Sequence, residues 1–378
     1  MSQTSSLQFL FAALLFVTAP LTVAQAQDVT APQVVAALEG VFGVNPGQRR
    51  NHIKGTCAVG EFVGNKDIAA YSRSALFSGR PVAVTARFSL AGGNPKAPDT
   101  AKSVRGMALQ FKLPGGNLHH MTMLNTPMFG AARPQTFLDL MLAQTPDPAT
   151  GKPDPQKMKT FKATHPDSLA QADYLAKNNP PVSYGNSSFW GIHTFKFINQ
   201  QNQTAYVRWR FVPKDGEKRL TDEELKTIGP AFLEQSLINR TTHGPLQWDM
   251  MVSIGEAGDP QDDPTLLWPD SRKLVKAGTL SITAAMPQKG AACEAINFDP
   301  LVMADGIAPS QDPVLLFRSP AYAVSFGKHP LVHFEDIGLL DKNCVFVHMN
   351  VLRPDEIDPV IDSGLSIVTG GVRSGPRR

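Results

Sequence analysis

Three short polar clusters hold the side chains in this sequence best able to do chemistry. The first is Arg49-Arg50-Asn51-His52-Ile53-Lys54-Gly55, whose single histidine can take and return a proton near neutral pH. The second, Arg87-Phe88-Ser89, falls in an alternating segment, so the guanidinium and the hydroxyl share one face and Phe88 takes the other. The third is Arg318-Ser319-Pro320-Ala321-Tyr322. At i and i+4 on a helical turn, an arginine cation beside a tyrosine oxygen stabilises the phenolate, and tyrosinate is one of the proximal ligands proteins offer to haem iron. Each cluster alone also has a plainer reading: a packed histidine, a solvated sheet arginine, a surface arginine next to a half-buried tyrosine. Pro320 argues for a helix end rather than a helix middle.

Other chemistries lack their local signatures. There is no HExxH, GxSxG, GxGxxG or Walker loop, so zinc-protease, α/β-hydrolase, dinucleotide and P-loop readings have nothing to stand on. The 378 residues carry 36 basic against 33 acidic side chains, a net charge of +3, which gives no electrostatic case for nucleic acid. A mean hydropathy of −0.15 is too low for a polytopic membrane protein, and 42% hydrophobic content is too high for a disordered chain. Residues 7–20 form a short apolar run followed by Ala24-Gln25-Ala26, the pattern of an export signal cleaved near Ala26, although no Lys or Arg precedes Arg49. That predicts a periplasmic or secreted protein. Three cysteines, Cys57, Cys293 and Cys344, allow at most one bridge. A Cys293 to Cys344 pair and three free thiols both remain open.

The elements that must carry these clusters are a meander of strands with helices between them. Residues 80–90 alternate, with Val82, Val84, Ala86, Phe88 and Leu90 on one face. Further strands are expected over 104–113, 119–124, 204–212, 248–254 and 279–286. Helices are expected over 31–41, over 134–144 with Phe137, Leu138, Met141 and Leu142 on one side, and over 167–177. Thr221 and Glu224 form a capping box that opens a helix through about Ile238. A short strand is expected within the tail segment CVFVHMNVL.

Taken in order, RxxHxKG, ARFS, VRG…NTP, NFDP…GIAPSQDP and RxxxY resemble the haem catalase superfamily over roughly 48–328. The short length is most similar to its catalase-related peroxidase branch. The resemblance implies an α+β fold, an antiparallel eight-stranded β-barrel with external helices, whose interior can hold one ligand, without the C-terminal helical domain of large catalases. It divides the chain into a signal peptide (1–26), a haem-binding barrel domain with a helical arm (27–330) and a tail of unknown structure (331–378).

By the same resemblance His52 is the distal histidine and Ser89 the residue that orients it. Arg49 and Arg87 pair with haem propionates, Arg318 sits against the tyrosinate, Tyr322 is the proximal iron ligand, and Phe137 packs on the haem. The cofactor implied is haem b with ferric iron. Where catalases carry Asn-Asn-Thr-Pro this chain has Leu124-Asn125-Thr126-Pro127, so the distal asparagine is replaced by Leu124 and Asn125 points the other way. Asn51 is a substitute polar group near the histidine. The expected activity is reduction of organic hydroperoxides and hydrogen peroxide by an external small electron donor, with weak catalase turnover, in a monomer or dimer with no membrane span. A hydroperoxide isomerase of allene oxide synthase type and a non-enzymatic haem-binding protein are the competing readings.

Overall fold

The computed structural model describes residues 28–336 and two short strands beyond them; the export segment, Cys344 and the rest of the tail lie outside the described residues. Helix α1 (Ala31–Phe42) precedes a meander of β1 (Gly55–Gly64), β2 (Pro81–Leu90), β3 (Arg105–Lys112) and β4 (Leu118–Leu124). Helices α2 (Pro134–Gln144), α3 (Pro155–Thr164) and α4 (Leu169–Lys177) come next. Strands β5 (Phe189–Trp190), β6 (Phe195–Ile198) and β7 (Thr204–Pro213) then lead to α5 (Asp222–Thr227) and α6 (Leu233–Thr241). The chain continues through β8 (Leu246–Ile254), β9 (Leu274–Pro287) and β10 (Ile307–Pro309) into α7 (Pro313–Asp336). In the tail, β11 (Val345–Val347), inside the predicted strand segment, pairs in parallel with β12 (Ser366–Val368).

Eight antiparallel strands close in the order β7-β5-β4-β3-β2-β1-β9-β8, with β8 returning to β7; β6 and β10 extend from the rim. Large aromatics from opposite strands fill the interior. Phe62 on β1 meets Phe111 on β3 at 5.5 Å and Phe211 on β7 at 6.4 Å, and Phe88 stacks on Trp248 at 5.8 Å. The expected hollow interior is therefore absent, because these rings occupy the space that a ligand would need. The second half of β2 is buried on both faces, unlike its first turns. Phe88 faces the core, whereas Arg87 and Ser89 lie under an outer layer of helices.

Four local expectations need correction. Leu138 and Met141 of α2 join Val34, Ala37 and Leu38 of α1 in a small core, but Leu142 turns past that contact and is 52% exposed. The helix opened by the Thr221 capping box stops at Thr227, because Gly229 takes φ 79° and Pro230 has no N–H to give. A separate helix, α6, starts where Asp99 accepts from the Phe232 and Leu233 N–H groups at 2.8 and 2.9 Å. Helix α7 runs straight through Pro320 for 24 residues. Its apolar side, Val314, Leu315, Phe317, Ala321 and Val324, is held against α1 and the barrel, which offsets the one hydrogen bond the proline removes. Finally, the disulfide joins Cys57 to Cys293, with Cα atoms 5.6 Å apart, in place of a Cys293 to Cys344 pair or three free thiols.

Candidate active site

Strand pairing assembles one side of the site. In register, Gly55 faces Ser89, Ser89 faces Gly106 and Gly106 faces Leu124, so a row of positions crosses β1 to β4 on the outer face of the barrel. A second row runs Cys57, Arg87, Ala108, Thr122. Just before β1 the chain turns sharply, with His52 at φ 54°, a left-handed conformation uncommon for residues other than glycine. The Asn51 side-chain oxygen fixes that turn by accepting from the N–H groups of His52 and Gly92, each at 2.8 Å. Arg87 Nη2 donates to the His52 carbonyl at 2.6 Å.

The His52 ring thus stands over the β2–β3 row, with Nδ1 2.9 Å from Ser89 Oγ and Nε2 as the nitrogen left for a substrate. Gly106 makes the room: a Cβ there would lie 2.9 Å from Ser89 Oγ and 3.1 Å from His52 Nδ1. Burial and the neighbouring cations Arg87, Arg318 and Arg49 push the His52 pKa down to about 3, so the ring is neutral near pH 7.

Helix α7 supplies the opposite side. One turn apart, Arg318 Nη2 donates to the Tyr322 hydroxyl at 2.6 Å and to Thr122 Oγ1 at 2.7 Å. Its other terminal nitrogen lies 3.0 Å from His193 Nε2. A guanidinium only donates, so Nε2 accepts and the His193 proton sits on Nδ1, 2.7 Å from Asp312 Oδ2. The second Asp312 oxygen accepts from the Val314 and Leu315 N–H groups and caps α7. One carboxylate therefore both starts the helix and anchors a chain from Asp312 through His193 and Arg318 to the Tyr322 oxygen.

Between these two sides lies a cavity of about 520 Å³. Its lining is mostly apolar, with Val35 and Leu38 of α1, Phe137 and Met141 of α2, Phe129, and Phe317 of α7. Phe137 stacks on Phe129 at 5.9 Å. Two guanidiniums reach the same cavity from the wall. Arg49 donates to the Glu294 carbonyl at 2.9 Å, and Arg87 donates to the Gln288 side chain at 2.7 and 3.1 Å. Among the described residues neither is in an ion pair, and burial lowers the pKa of both. A buried cation such as Arg87, with the partly buried Arg49 beside the same cavity, calls for an anionic guest.

All the expected site residues, Arg49, Asn51, His52, Arg87, Ser89, Phe137, Arg318 and Tyr322, line this one cavity. Leu124 lines it too, while Asn125 is turned away, its side-chain oxygen accepting from the Arg105 N–H at 2.7 Å. Sequence reasoning missed His193, Thr122, Gly106, Gln288 and Glu294, and assigned no role to Asp312. Asp312 lies inside the GIAPSQDP motif and could have been singled out there. His193 is an isolated histidine more than a hundred residues from its partners, so no local spacing marks it.

The Catalase family profile matches residues 46–337. A catalase-related peroxidase of Synechococcus elongatus is 60% identical over 80% of this chain and 89% of the relative. One of Mycolicibacterium paratuberculosis is 34% identical over 78% of this chain and 93% of its own length. Among solved structures, catalase A of Saccharomyces cerevisiae superposes with a TM-score of 0.70 at 25% identity, over 79% of this chain and 64% of the yeast chain. The barrel, the paired clusters on either side of one cavity and these matches agree, and the chain belongs to the catalase family, in its catalase-related peroxidase branch.

Proposed function

We propose that this chain is a haem peroxidase that reduces organic hydroperoxides, and hydrogen peroxide, with an external electron donor, and that its catalase turnover is weak. The observation that carries the cofactor reading is that two guanidiniums, the partly buried Arg49 and the buried Arg87, face an apolar cavity with no ion pair among the described residues. Haem b fits that demand: its two propionates supply the missing anions, its ring the apolar surface, and its ferric iron an acceptor for the Tyr322 oxygen. When bound, the group supplies the redox chemistry that cleaves the peroxide and stores oxidising equivalents for the donor.

The chain's own residues then do the following. Arg318 donates its hydrogen bond to the Tyr322 oxygen and holds that oxygen in place at the cavity wall. The opposite half is proton handling. A peroxide in the cavity gives its O–H proton to His52 Nε2, because Ser89 occupies Nδ1, and the same nitrogen returns it to the departing oxygen. The apolar wall of α1 and α2 suits an alkyl hydroperoxide and keeps water away. Dismutation of hydrogen peroxide needs a second small polar molecule held beside His52. Leu124 offers no hydrogen bond there, and Asn51, whose oxygen is committed to backbone, has only its amide N–H group to offer.

The buried disulfide and the apolar 7–20 run followed by Ala24-Gln25-Ala26 support work outside the cytoplasm, in the periplasm or secreted. Retention of His52 with its Ser89 partner supports an enzyme over a storage protein, which has no use for a base. The test is a paired assay on the haem-loaded protein: donor-dependent loss of cumene hydroperoxide against oxygen release from hydrogen peroxide. Faster donor-dependent turnover is expected. Oxygen release at the rate of a large catalase, or hydroperoxide loss that consumes no donor, contradicts the proposal.

A further inference from the structure

We infer that the Cys57–Cys293 disulfide is a positioning device for the cofactor cavity: it holds the segment that fixes Arg49 and Arg87, so that full haem affinity requires the bridge. The inference rests on the haem reading above.

Its basis is where the bridge sits. Cys57 lies on β1, directly opposite Arg87 on β2, five residues after His52. Cys293 lies in the connection between β9 and β10, which contains no regular strand or helix from Gln288 to Ala295. That connection supplies the acceptor of Arg49 and the side-chain acceptor of Arg87, which also donates to the His52 and Ile53 carbonyls. Gln288 accepts from Arg87 through its side-chain oxygen and donates to the Ile53 carbonyl at 2.9 Å. Glu294, next to Cys293, accepts from Arg49 through its backbone oxygen. Farther along, Asn297 and Phe298 line the cavity, and Phe298 packs on both sulfur residues in a small core of its own.

The segment's internal hydrogen bonds are single backbone turns, Ala291 N–H to Gln288 O, Glu294 N–H to Ala291 O and Ile296 N–H to Cys293 O, with the Glu294 carboxylate accepting from the Gly290 N–H at 2.7 Å. The disulfide is what joins it covalently to the barrel wall. Both cysteines are fully buried, at 2% and 0% exposure, so the bridge is closed off from solvent reductants in the folded protein. A backbone carbonyl can orient a guanidinium only as well as its own segment is held, and a loop bonded by single turns is held loosely. Fixing that loop at Cys293, one residue from the acceptor of Arg49, pre-organises the cation for a carboxylate ligand and lowers the ordering cost of binding.

The test is a double-mutant cycle on haem affinity, read by optical titration of the cofactor-free protein with hemin. Four proteins are compared: the parent, Cys293→Ala, Arg49→Ala and the double variant, each checked for native far-ultraviolet circular dichroism. The core substitution Ile68→Val, remote from the cavity, controls for general loss of stability. Cys293→Ala is expected to weaken hemin binding about tenfold, the scale of one hydrogen bond to a charged group, and to alter the Soret band of the complex. In the Arg49→Ala background the same change should cost much less.

Additive losses, or a loss matched by Ile68→Val, would mean that the bridge acts only on overall stability and would overturn the inference. Unchanged affinity in Cys293→Ala would overturn it as well. If the parent itself takes up no hemin, the haem reading fails instead. Should Cys293→Ala not fold, Glu294→Pro and Gln288→Leu in the intact disulfide protein probe the same contacts: weakened hemin binding is expected from both, and parent-like affinity in both contradicts the inference.

Discussion

At the scale of single residues the site depends on shape as much as on charge. His52 is neutral at pH 7, its pKa lowered first by burial and then by the neighbouring cations. Its aim depends on a residue that does no chemistry, Gly106. Gly106→Ala should leave the barrel folded but push the new methyl into Ser89 Oγ and the imidazole, at 2.9 and 3.1 Å. A displacement near 1 Å is enough to lower peroxide cleavage on the order of 10²-fold, with hemin affinity within a few-fold of the parent. Stopped-flow rates with a fixed hydroperoxide check this. Parent-like rates would show that the distal pocket tolerates the methyl.

The reactive residues themselves were legible in the sequence, since Arg49, His52, Arg87, Ser89, Arg318 and Tyr322 fall in three compact motifs. Gly106 was not, because its role is an absence of side chain at a register position known only once β2 and β3 are paired.

At the scale of elements, the long helix α7 and the barrel face β2–β4 are the two halves of the device, joined where Arg318 donates to Thr122 on β4 and anchored through His193 by Asp312. One of its oxygens caps α7 and the other fixes the His193 tautomer. Asp312→Asn keeps a cap oxygen but sets an amide N–H against the His193 Nδ1–H. Either tautomer of His193 then meets a donor, from the new amide or from Arg318, and a buried hydrogen bond is lost. The expected outcome is a loss of about 2–4 kcal/mol in stability by denaturant titration and a changed haem spectrum, with His52 chemistry unaffected at its own end. An unchanged spectrum would detach Asp312 from the tyrosine.

The strands β2, β3, β4, β7, β8 and β9 were expected from the sequence, β2 and β7 by alternation. The first strand was not, because GTCAVGEFVG mixes glycine and charge within a run that pairs on both edges. The course of α7 through Pro320 was hidden for a related reason: local propensity favoured a stop, and tertiary packing prevailed.

At the scale of the whole molecule, the barrel serves as a filled pillar, and function sits between its outer face and the helices α1, α2 and α7. Expecting the ligand inside the barrel followed from strand count, which says nothing of how many aromatic rings must be housed. The fold also sets a dependence on acid. His52 and His119 are buried and neutral, with pKa values pushed down to about 3 mainly by burial. The unfolded chain binds protons at both sites near pH 6.5, so between about pH 6.5 and 3 it holds more protons than the folded protein. Stability must therefore fall as pH falls through that window, by up to roughly 1.4 kcal/mol per pH unit for each histidine. Urea titrations of the cofactor-free protein at pH 7, 5 and 4 check the sign. Replacing His119 by Gln should flatten the slope, and a stability that rises toward pH 4 would contradict the burial argument.

The most direct test of the account is the optical spectrum of the haem-loaded protein during addition of one equivalent of cumene hydroperoxide, for the parent and for His52→Ala. The account predicts a tyrosinate-type ferric spectrum in both. It predicts conversion to a higher oxidation state in the parent, reversed by an added donor, and a conversion slowed at least about 10²-fold without His52. A parent spectrum that never responds to peroxide, or a His52→Ala protein that responds as fast as the parent, would contradict it.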